Sequence, residues 1–193
     1  MTLVADPRQA EARNGPVGAH WAGHQDRYDA MLAGVGDALF GAAAVVPGDR
    51  VPDVGRGAGA TTRIVARIAA HGHAVGVDIS APLLERACAS TAAEGLANAA
   101  YVCAGAQVHA FPAAGNDVVV SRGGATVVPV GVGTVRGRDV PDAAEFLLSR
   151  VPGGALPASR LAGLEEVLRP FGTGTGTGVR MRDGVRLVTA VRP

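Results

Sequence analysis

Hydrophobic residues recur along this chain with two different spacings, and each spacing predicts one kind of secondary structure. Residues 1–19 are mainly polar and predict a flexible lead-in. Across residues 20–46, apolar side chains such as Tyr28, Met31 and Leu39 recur at helical spacing. That spacing places them on one face of a helix, so we expect one helix over this range.

Short apolar runs alternate with helical patterns between residues 50 and 121. They predict strands at 50–54, 74–78, 101–104 and 117–121, and helices at 61–70 and 80–94. Strands that alternate with helices over short links are typical of a parallel sheet covered by helices. The expected fold class is therefore α/β, a single domain with a mostly parallel sheet flanked by helices.

The alternation becomes less regular after residue 123. The pattern predicts a strand at 127–135, a helix from Asp139 or Asp142 to Leu148, a helix at 159–168 and a final strand at 186–191. Residues 151–157 and the GTGTGTG run at 172–178 predict loops. We expect the final strand to lie antiparallel at the end of the sheet.

Composition limits the function without naming it. The 193 residues suit one domain, and all 18 basic residues are arginine in a chain of net charge +1. The arginines of residues 121–193 are scattered, with no aromatic platform, which does not favour a nucleic-acid partner. No run reaches the roughly 20 apolar residues that span a bilayer, so no membrane partner is expected. Two cysteines fit a reducing compartment, and we expect a cytoplasmic protein without a metal site.

A glycine-rich turn between a strand and a helix is the most informative segment. Gly55, Gly57 and Gly59 allow a sharp turn and a close approach to a ligand, at which the following helix points its free N–H groups. Asp78 ends the next strand, where a carboxylate can accept hydrogen bonds from the ribose hydroxyls of an adenosine ligand. Gly55, Gly57 and Ala60 also fit the loose dinucleotide fingerprint.

Asp53 favours one of these two ligand classes. It lies two residues before the first glycine, where a dinucleotide-binding strand usually carries an apolar side chain. A carboxylate there repels a pyrophosphate but suits a cation. S-adenosylmethionine carries a sulfonium and an ammonium, so the sequence favours this cofactor.

The motif DVGRGAG, followed by VGVDIS, resembles the cofactor motifs of class I (Rossmann-like) methyltransferases, and most closely their small-molecule group. The segments WAGHQDRYDAML, APLLERA, AGAQVHAFP and NDVVVSR add matches in the same order, within residues 20–193. The resemblance implies a single Rossmann-like domain over 20–193, shortened relative to the seven-stranded methyltransferase fold. Residues 20–124 would form its cofactor-binding half and residues 125–193 its C-terminal part.

The resemblance also implies which residues hold S-adenosylmethionine. They are Tyr28, Asp53, Gly55, Arg56, Gly57, Gly59, Asp78, Ile79, Gly105, Ala106, Gln107 and Ser121. Asp53 would face the amino group, Asp78 would bind the ribose, and Tyr28 would close over the cofactor. Ile79 would pack on the adenine, and Ala106 and Gln107 would line its edge. No catalytic residue can be named.

Four features depart from the family. Pro52 lies in the central strand, and Arg56 places a bulky cation between two glycines, where it would crowd the methionine end and repel the sulfonium. Gly105 stands where an acid commonly accepts from the adenine amino group. After Gly124, the chain lacks the helix, strand and substrate-covering segment that normally supply the substrate pocket.

The expected function is transfer of a methyl group from S-adenosylmethionine to a small-molecule acceptor, impaired by these four departures. Two other functions stay open: a non-catalytic cofactor-binding or interaction module derived from a methyltransferase, and a nicotinamide-dependent oxidoreductase. An exposed sheet edge near residues 117–121 adds the hypothesis of a homodimer.

Overall fold

The computed structural model describes residues 6–112, 115–122, 129–148, 158–172 and 179–186. Its helices are α1 (Pro7–Asn14), α2 (Pro16–Gly23), α3 (Gln25–Met31), α4 (Ala33–Ala43), α5 (Ala60–Ile68), α6 (Ala81–Ala93), α7 (Val140–Leu148) and α8 (Ala158–Leu168), and a 3-10 turn spans Arg169–Phe171. Its strands are β1 (Arg50–Val54), β2 (His73–Asp78), β3 (Ala99–Cys103), β4 (Pro129–Gly137) and β5 (Val179–Arg186). Within these ranges no helix is long and apolar enough to cross a membrane.

Strands β1, β2 and β3 form a parallel sheet in that order, which confirms the expected α/β class. The sheet packs its inner face on a core of Val51, Val65, Ala66, Ala74 and Val120. Helices α5 and α6 follow β1 and β2, as the alternating pattern predicts. The carboxyl ends of all three strands therefore lie along one edge of the sheet.

The strand expected at 117–121 is reduced to a single parallel bridge between Asp53 and Val120. The N–H of Val54 donates to the carbonyl of Val120, and the N–H of Val120 donates to the carbonyl of Pro52, both at 2.9 Å. The preceding bond of this ladder would start at the nitrogen of residue 52, and proline has no N–H to donate. Pro52 thus limits the pairing of β1 with the segment at residues 117–121 and leaves the pairing of β1 with β2 intact.

The N-terminal segment is helical, so the flexible lead-in expected for residues 1–19 is wrong from residue 7 onward. Asp6 caps α1, because its Oδ1 accepts the N–H groups of Arg8 at 3.0 Å and Gln9 at 3.2 Å. At the other end of α1, the side chain of Asn14 bonds to the link between β2 and α6. The helix is therefore held at both ends.

The single helix expected over 20–46 is divided into α2, α3 and α4. The backbone leaves helical geometry at His24 (φ −115°, ψ 25°) and again at Leu32 (φ −97°, ψ 6°). Gly23 and the glycine-rich start of α4 lower the helix propensity at these two points. The apolar spacing still identifies the packed face, since Tyr28 is only 3% exposed.

Strands β4 and β5 form a second, antiparallel sheet, which corrects the expected antiparallel end strand of one sheet. In the part of the chain that the structure describes, β5 pairs only with β4. It lies at Val179–Arg186, and the strand expected at 186–191 falls, beyond Arg186, outside the described residues. Helices α7 and α8 form as predicted and bury Ala143, Ala144 and Leu168 between them.

Candidate cofactor site

The candidate site lies at the carboxyl edge of the parallel sheet, where ligands of open α/β sheets bind. The glycine-rich turn follows β1, Ile79 follows β2, and Gly105 follows β3 closely. Ser121 comes directly after Val120, which is bridged to Asp53. The fold therefore brings together segments that are far apart in the sequence.

The glycine-rich turn is built from backbone conformations that other residues rarely adopt. Gly55 and Gly57 have φ of 69° and 56°, in the left-handed region. The N–H of Gly55 donates to the carbonyl of Val77 at 2.9 Å, which ties the turn to the end of β2. Apart from their chain neighbours, no atom of the described residues lies within 4 Å of a Cβ built on either glycine. This side of the turn has room for a ligand.

Asp78 joins the turn to the beginning of α6. Its Oδ2 accepts the N–H of Gly57 at 3.0 Å, and its Oδ1 accepts the N–H of Ser80 at 3.0 Å. Each carboxylate oxygen has a second lone pair, so the group can still accept from a ligand hydroxyl. The structure thus fixes the carboxylate in place and leaves part of its accepting capacity for a ligand.

Asp53 is completely buried at the end of β1. Its Oδ2 accepts the hydroxyl of Thr62 at 2.6 Å, and its Oδ1 has no hydrogen-bond partner among the described residues. Burial raises the pKa of Asp53 to about 6, against the opposing effects of the Thr62 hydrogen bond and the charges of Arg122 and Arg56. A cationic ligand group near Oδ1 would favour the ionised form.

Arg56 turns its side chain inward and is only 3% exposed. The guanidinium lies over the ring of Tyr101, 5.2 Å from its centroid, and Nη1 donates to the carbonyl of Gly57. The stem passes over Gly76, where a Cβ would collide with the Cδ of Arg56. Neither Nε nor Nη2 has a hydrogen-bond partner in the described ranges, and burial lowers the pKa of this guanidinium.

We expect the Arg56→Met variant to be more stable than the wild-type protein at pH 5, by about 1–3 kcal/mol. Methionine keeps an apolar stem over Tyr101 and removes two buried donors that lack partners, each of which costs free energy. At pH 5 most Asp53 is protonated, so the charge interaction that the variant loses is mainly the one with Asp78, and this loss offsets part of the gain. Urea unfolding measures the difference. Arg50→Met removes an exposed arginine paired with Asp117 and should change little; a less stable Arg56→Met variant contradicts the expectation.

Tyr28 lies in a buried aromatic cluster on α3. Its ring stacks on Trp21 with centroids 3.7 Å apart and meets Phe146 edge-on at 5.1 Å. One residue further along α3, Asp29 pairs with Arg122 at 3.2 Å, next to Ser121. Helix α3 is therefore anchored to the carboxyl edge of the sheet near the candidate site.

The turn after β3 carries the three residues expected beside the adenine. It adjoins Asp78, because the N–H of Ala104 donates to the carbonyl of Asp78 at 2.9 Å. Gly105 is buried and its carbonyl accepts two N–H groups of the turn, whereas Ala106 is half-buried and Gln107 is exposed. The positions are adjacent to the site, and the missing acid at Gly105 leaves a buried backbone in its place.

Two residues that contact the site were not predicted from the sequence. Thr62 bonds to Asp53 from the first turns of α5, and Asn14 bonds to Ile79 and Ala81 from α1. A hydroxyl residue in the first turns of the helix that follows the glycines is a signal for the first contact. No local signal marks Asn14 as a site contact, because its two partners in the link between β2 and α6 lie more than sixty positions away.

Comparison with known families gives a match over this part of the chain. Residues 51–132 match the family model described as a methyltransferase domain. The matched segment contains β1, the glycine-rich turn, β2 and β3, and it is less than half of the 193-residue chain. The Rossmann-like, shortened α/β fold agrees with this match.

Solved structures similar to this chain match only part of it. A coclaurine N-methyltransferase bound to N-methylheliamine and SAH is 21% identical, with a TM-score of 0.41, 45% of this chain covered and 26% of that one. A methyltransferase from Thiobacillus denitrificans in complex with S-adenosyl-L-homocysteine is 29% identical, with a TM-score of 0.38, and the match covers 49% of this chain and 36% of that one. A methyltransferase from Aquifex aeolicus is 17% identical, with a TM-score of 0.43, and the match covers 60% of this chain and 56% of that one. The chain therefore covers less than two thirds of the length of each of these three proteins. No curated protein matches the chain.

Proposed function

We propose that the protein binds S-adenosylmethionine at the carboxyl edge of the parallel sheet and transfers its methyl group to a small-molecule acceptor. The observation that carries the proposal is the bond from the Gly57 N–H to Asp78 at 3.0 Å. It joins the glycine-rich turn and the acid of β2 into one rigid unit beside open space. The family match over residues 51–132 and the sequence motifs support the same function.

The glycines and the two acids fit this cofactor, whereas the buried guanidinium of Arg56 keeps beside the turn the positive charge that would oppose the sulfonium. The unused accepting capacity of Asp78 suits ribose hydroxyls, and the open side of Gly55 and Gly57 suits a ligand that approaches the backbone closely. The unpartnered Oδ1 of Asp53 suits an ammonium or sulfonium. When bound, the cofactor supplies a methyl group on a cationic sulfur, which a nucleophile displaces.

The protein's own part in such a reaction is alignment. In-line displacement needs the acceptor atom close to the methyl and opposite the sulfur, so most of the catalytic effect comes from positioning. Ser121 and Arg122 follow Val120 and lie near Asp53, which makes them candidates for orienting the acceptor.

We expect calorimetry to show micromolar binding of S-adenosylmethionine and S-adenosylhomocysteine and no binding of NADH. The Asp78→Asn variant should bind S-adenosylhomocysteine at least about tenfold more weakly, because an amide has one acceptor where the carboxylate serves two N–H groups and the ribose. Asp117→Asn is the matched control, since this exposed carboxylate pairs with Arg50 at the opposite end of β1. Circular dichroism verifies that each variant is folded.

Each other result of this experiment favours one of the two other functions. A folded protein that binds none of the ligands would be a non-catalytic interaction module derived from a methyltransferase. One that binds NADH would be a nicotinamide-dependent oxidoreductase. The single-domain extent of residues 20–193, the cytoplasmic location and the homodimer through residues 117–121 stay predictions from the sequence. The side chain of Val119, which lies within residues 117–121 and is 63% exposed, supports the homodimer.

A further inference from the structure

The link between β2 and α6 is held from outside by a side chain of α1. The Nδ2 of Asn14 donates to the carbonyl of Ile79 at 2.9 Å, and its Oδ1 accepts the N–H of Ala81 at 2.7 Å. The amide thus pairs with the backbone on both sides of Ser80. Nδ2 also donates to the carbonyl of Ala10 at 2.7 Å, which fixes the amide relative to its own helix.

A second contact seats the corner between α1 and α2 on the same link. The hydroxyl of Ser80 donates to the carbonyl of Arg13 at 2.7 Å, and Ser80 is completely buried. A Cβ on Gly18 would collide with that carbonyl and lie 3.1 Å from the Ser80 hydroxyl. The corner is therefore fitted closely to residues 79–81.

The same link is held from inside by Asp78. Its Oδ1 accepts the N–H of Ser80, while its Oδ2 accepts the N–H of Gly57. Asn14 and Asp78 therefore hold a three-residue segment from opposite sides. A shift of that segment would move both the carboxylate and the side chain of Ile79.

We propose that Asn14 is a positioning residue of the cofactor site, and that it sets the geometry of Asp78 and Ile79 for the adenosine half of the ligand. This inference rests on the proposed function. Of the side chains of this size, an asparagine amide both donates to a carbonyl and accepts from an N–H, which aspartate and alanine cannot do together. The corner of α1 and α2 thus supports residues 79–81 from the side opposite Asp78.

The test compares two ligands and two variants of α1. We expect Asn14→Ala to weaken binding of S-adenosylhomocysteine and of 5′-methylthioadenosine by the same factor, about tenfold, since both contain the adenosine half. Asp6→Ala removes the two capping bonds at the other end of α1. It should lower the melting temperature but keep both dissociation constants within about twofold of wild type, as each is measured on folded protein.

The outcomes separate this inference from the proposed function. If wild type binds both ligands and Asn14→Ala binds them equally well, Asn14 is only structural, and the proposed function stands. If wild type binds neither ligand, both proposals fail. Asn14→Asp, which matches the native side chain in size and keeps only the bond to Ala81, covers the case in which Asn14→Ala does not fold. Wild-type affinity in Asn14→Asp would likewise overturn the positioning role.

Discussion

We expect the Asp53→Asn variant to be more stable than the wild-type protein above pH 6, by up to about 3 kcal/mol. Burial raises the pKa of Asp53 from 3.8 to about 6, so the folded protein disfavours the charge that this carboxyl carries at neutral pH. A shift of about two units corresponds to roughly 3 kcal/mol. Asparagine keeps an acceptor for the Thr62 hydroxyl and carries no charge, but its Nδ2 takes the place of the unpartnered Oδ1, and this buried donor offsets part of the gain.

The effect depends on pH with a defined sign. Between pH 3.8 and about 6 the folded protein binds more protons than the unfolded chain, so stability falls as pH rises through this window. The stabilisation by protonated Asp53 is complete below pH 3.8 and is lost above about pH 6. The advantage of the variant should therefore be small at pH 4 and reach its full value near pH 7.

Urea unfolding of both proteins between pH 4 and pH 8 measures this difference. Asp117→Asn is the control with the opposite sign, because hydrogen bonds from Arg50 lower the pKa of Asp117 and make its stabilisation disappear as pH falls. An Asp53→Asn advantage that does not change with pH would show that Asp53 does not titrate in this window. In that case the difference would come from packing alone.

The same substitution should weaken the binding of S-adenosylmethionine, which gives Asp53 a reason to be retained. A buried carboxylate with an unpartnered oxygen is costly in the free protein and suits a cation when the ligand arrives. Local rules of stability are often broken at functional sites. Higher stability with lower affinity in one variant would be evidence that this carboxylate is there for the ligand.

The parallel sheet could be predicted from the sequence because its signals are local. The run at residues 50–54 coincides with β1, and the predicted strand at 74–78 lies within β2. The glycine spacing and the acid at the end of β2 predicted a site at the carboxyl edge, where the structure brings Gly57 and Asp78 together. These features depend on residues that are close in sequence.

The features that the sequence did not predict depend on register or on distant contacts. The effect of Pro52 depends on which neighbour its nitrogen faces, and only the pairing of β1 with Val120 decides that. Helix α1 has a local start at Asp6, but its anchor at Asn14 pairs with residues beyond β2. The pairing of β4 with β5 joins two segments separated by α7 and α8.

We expect Gly59→Ala to destabilise the protein by roughly 2–5 kcal/mol, the largest loss among the glycines of the turn. Gly59 has φ of 81°, which costs a residue with a side chain about 1–2 kcal/mol. The added Cβ would also lie 2.8 Å from the Tyr101 hydroxyl and 2.9 Å from the Cβ of Ala87. Thr91 holds that hydroxyl at 2.5 Å, so the ring cannot move aside, and overpacking adds about 1–3 kcal/mol.

Gly57→Ala is the matched comparison, because it shares the left-handed backbone with Gly59 and lacks the collision. Its loss in urea unfolding should be about 1–2 kcal/mol, from the backbone alone. For ligand binding by the folded protein, Gly57→Ala should cause the larger loss of affinity of the two variants, since a methyl on Gly57 fills the open space where the cofactor would approach. Equal losses of stability in the two variants would contradict the packing of Gly59 against α6 and β3. Wild-type affinity in Gly57→Ala would instead show that the ligand does not approach the glycine-rich turn closely.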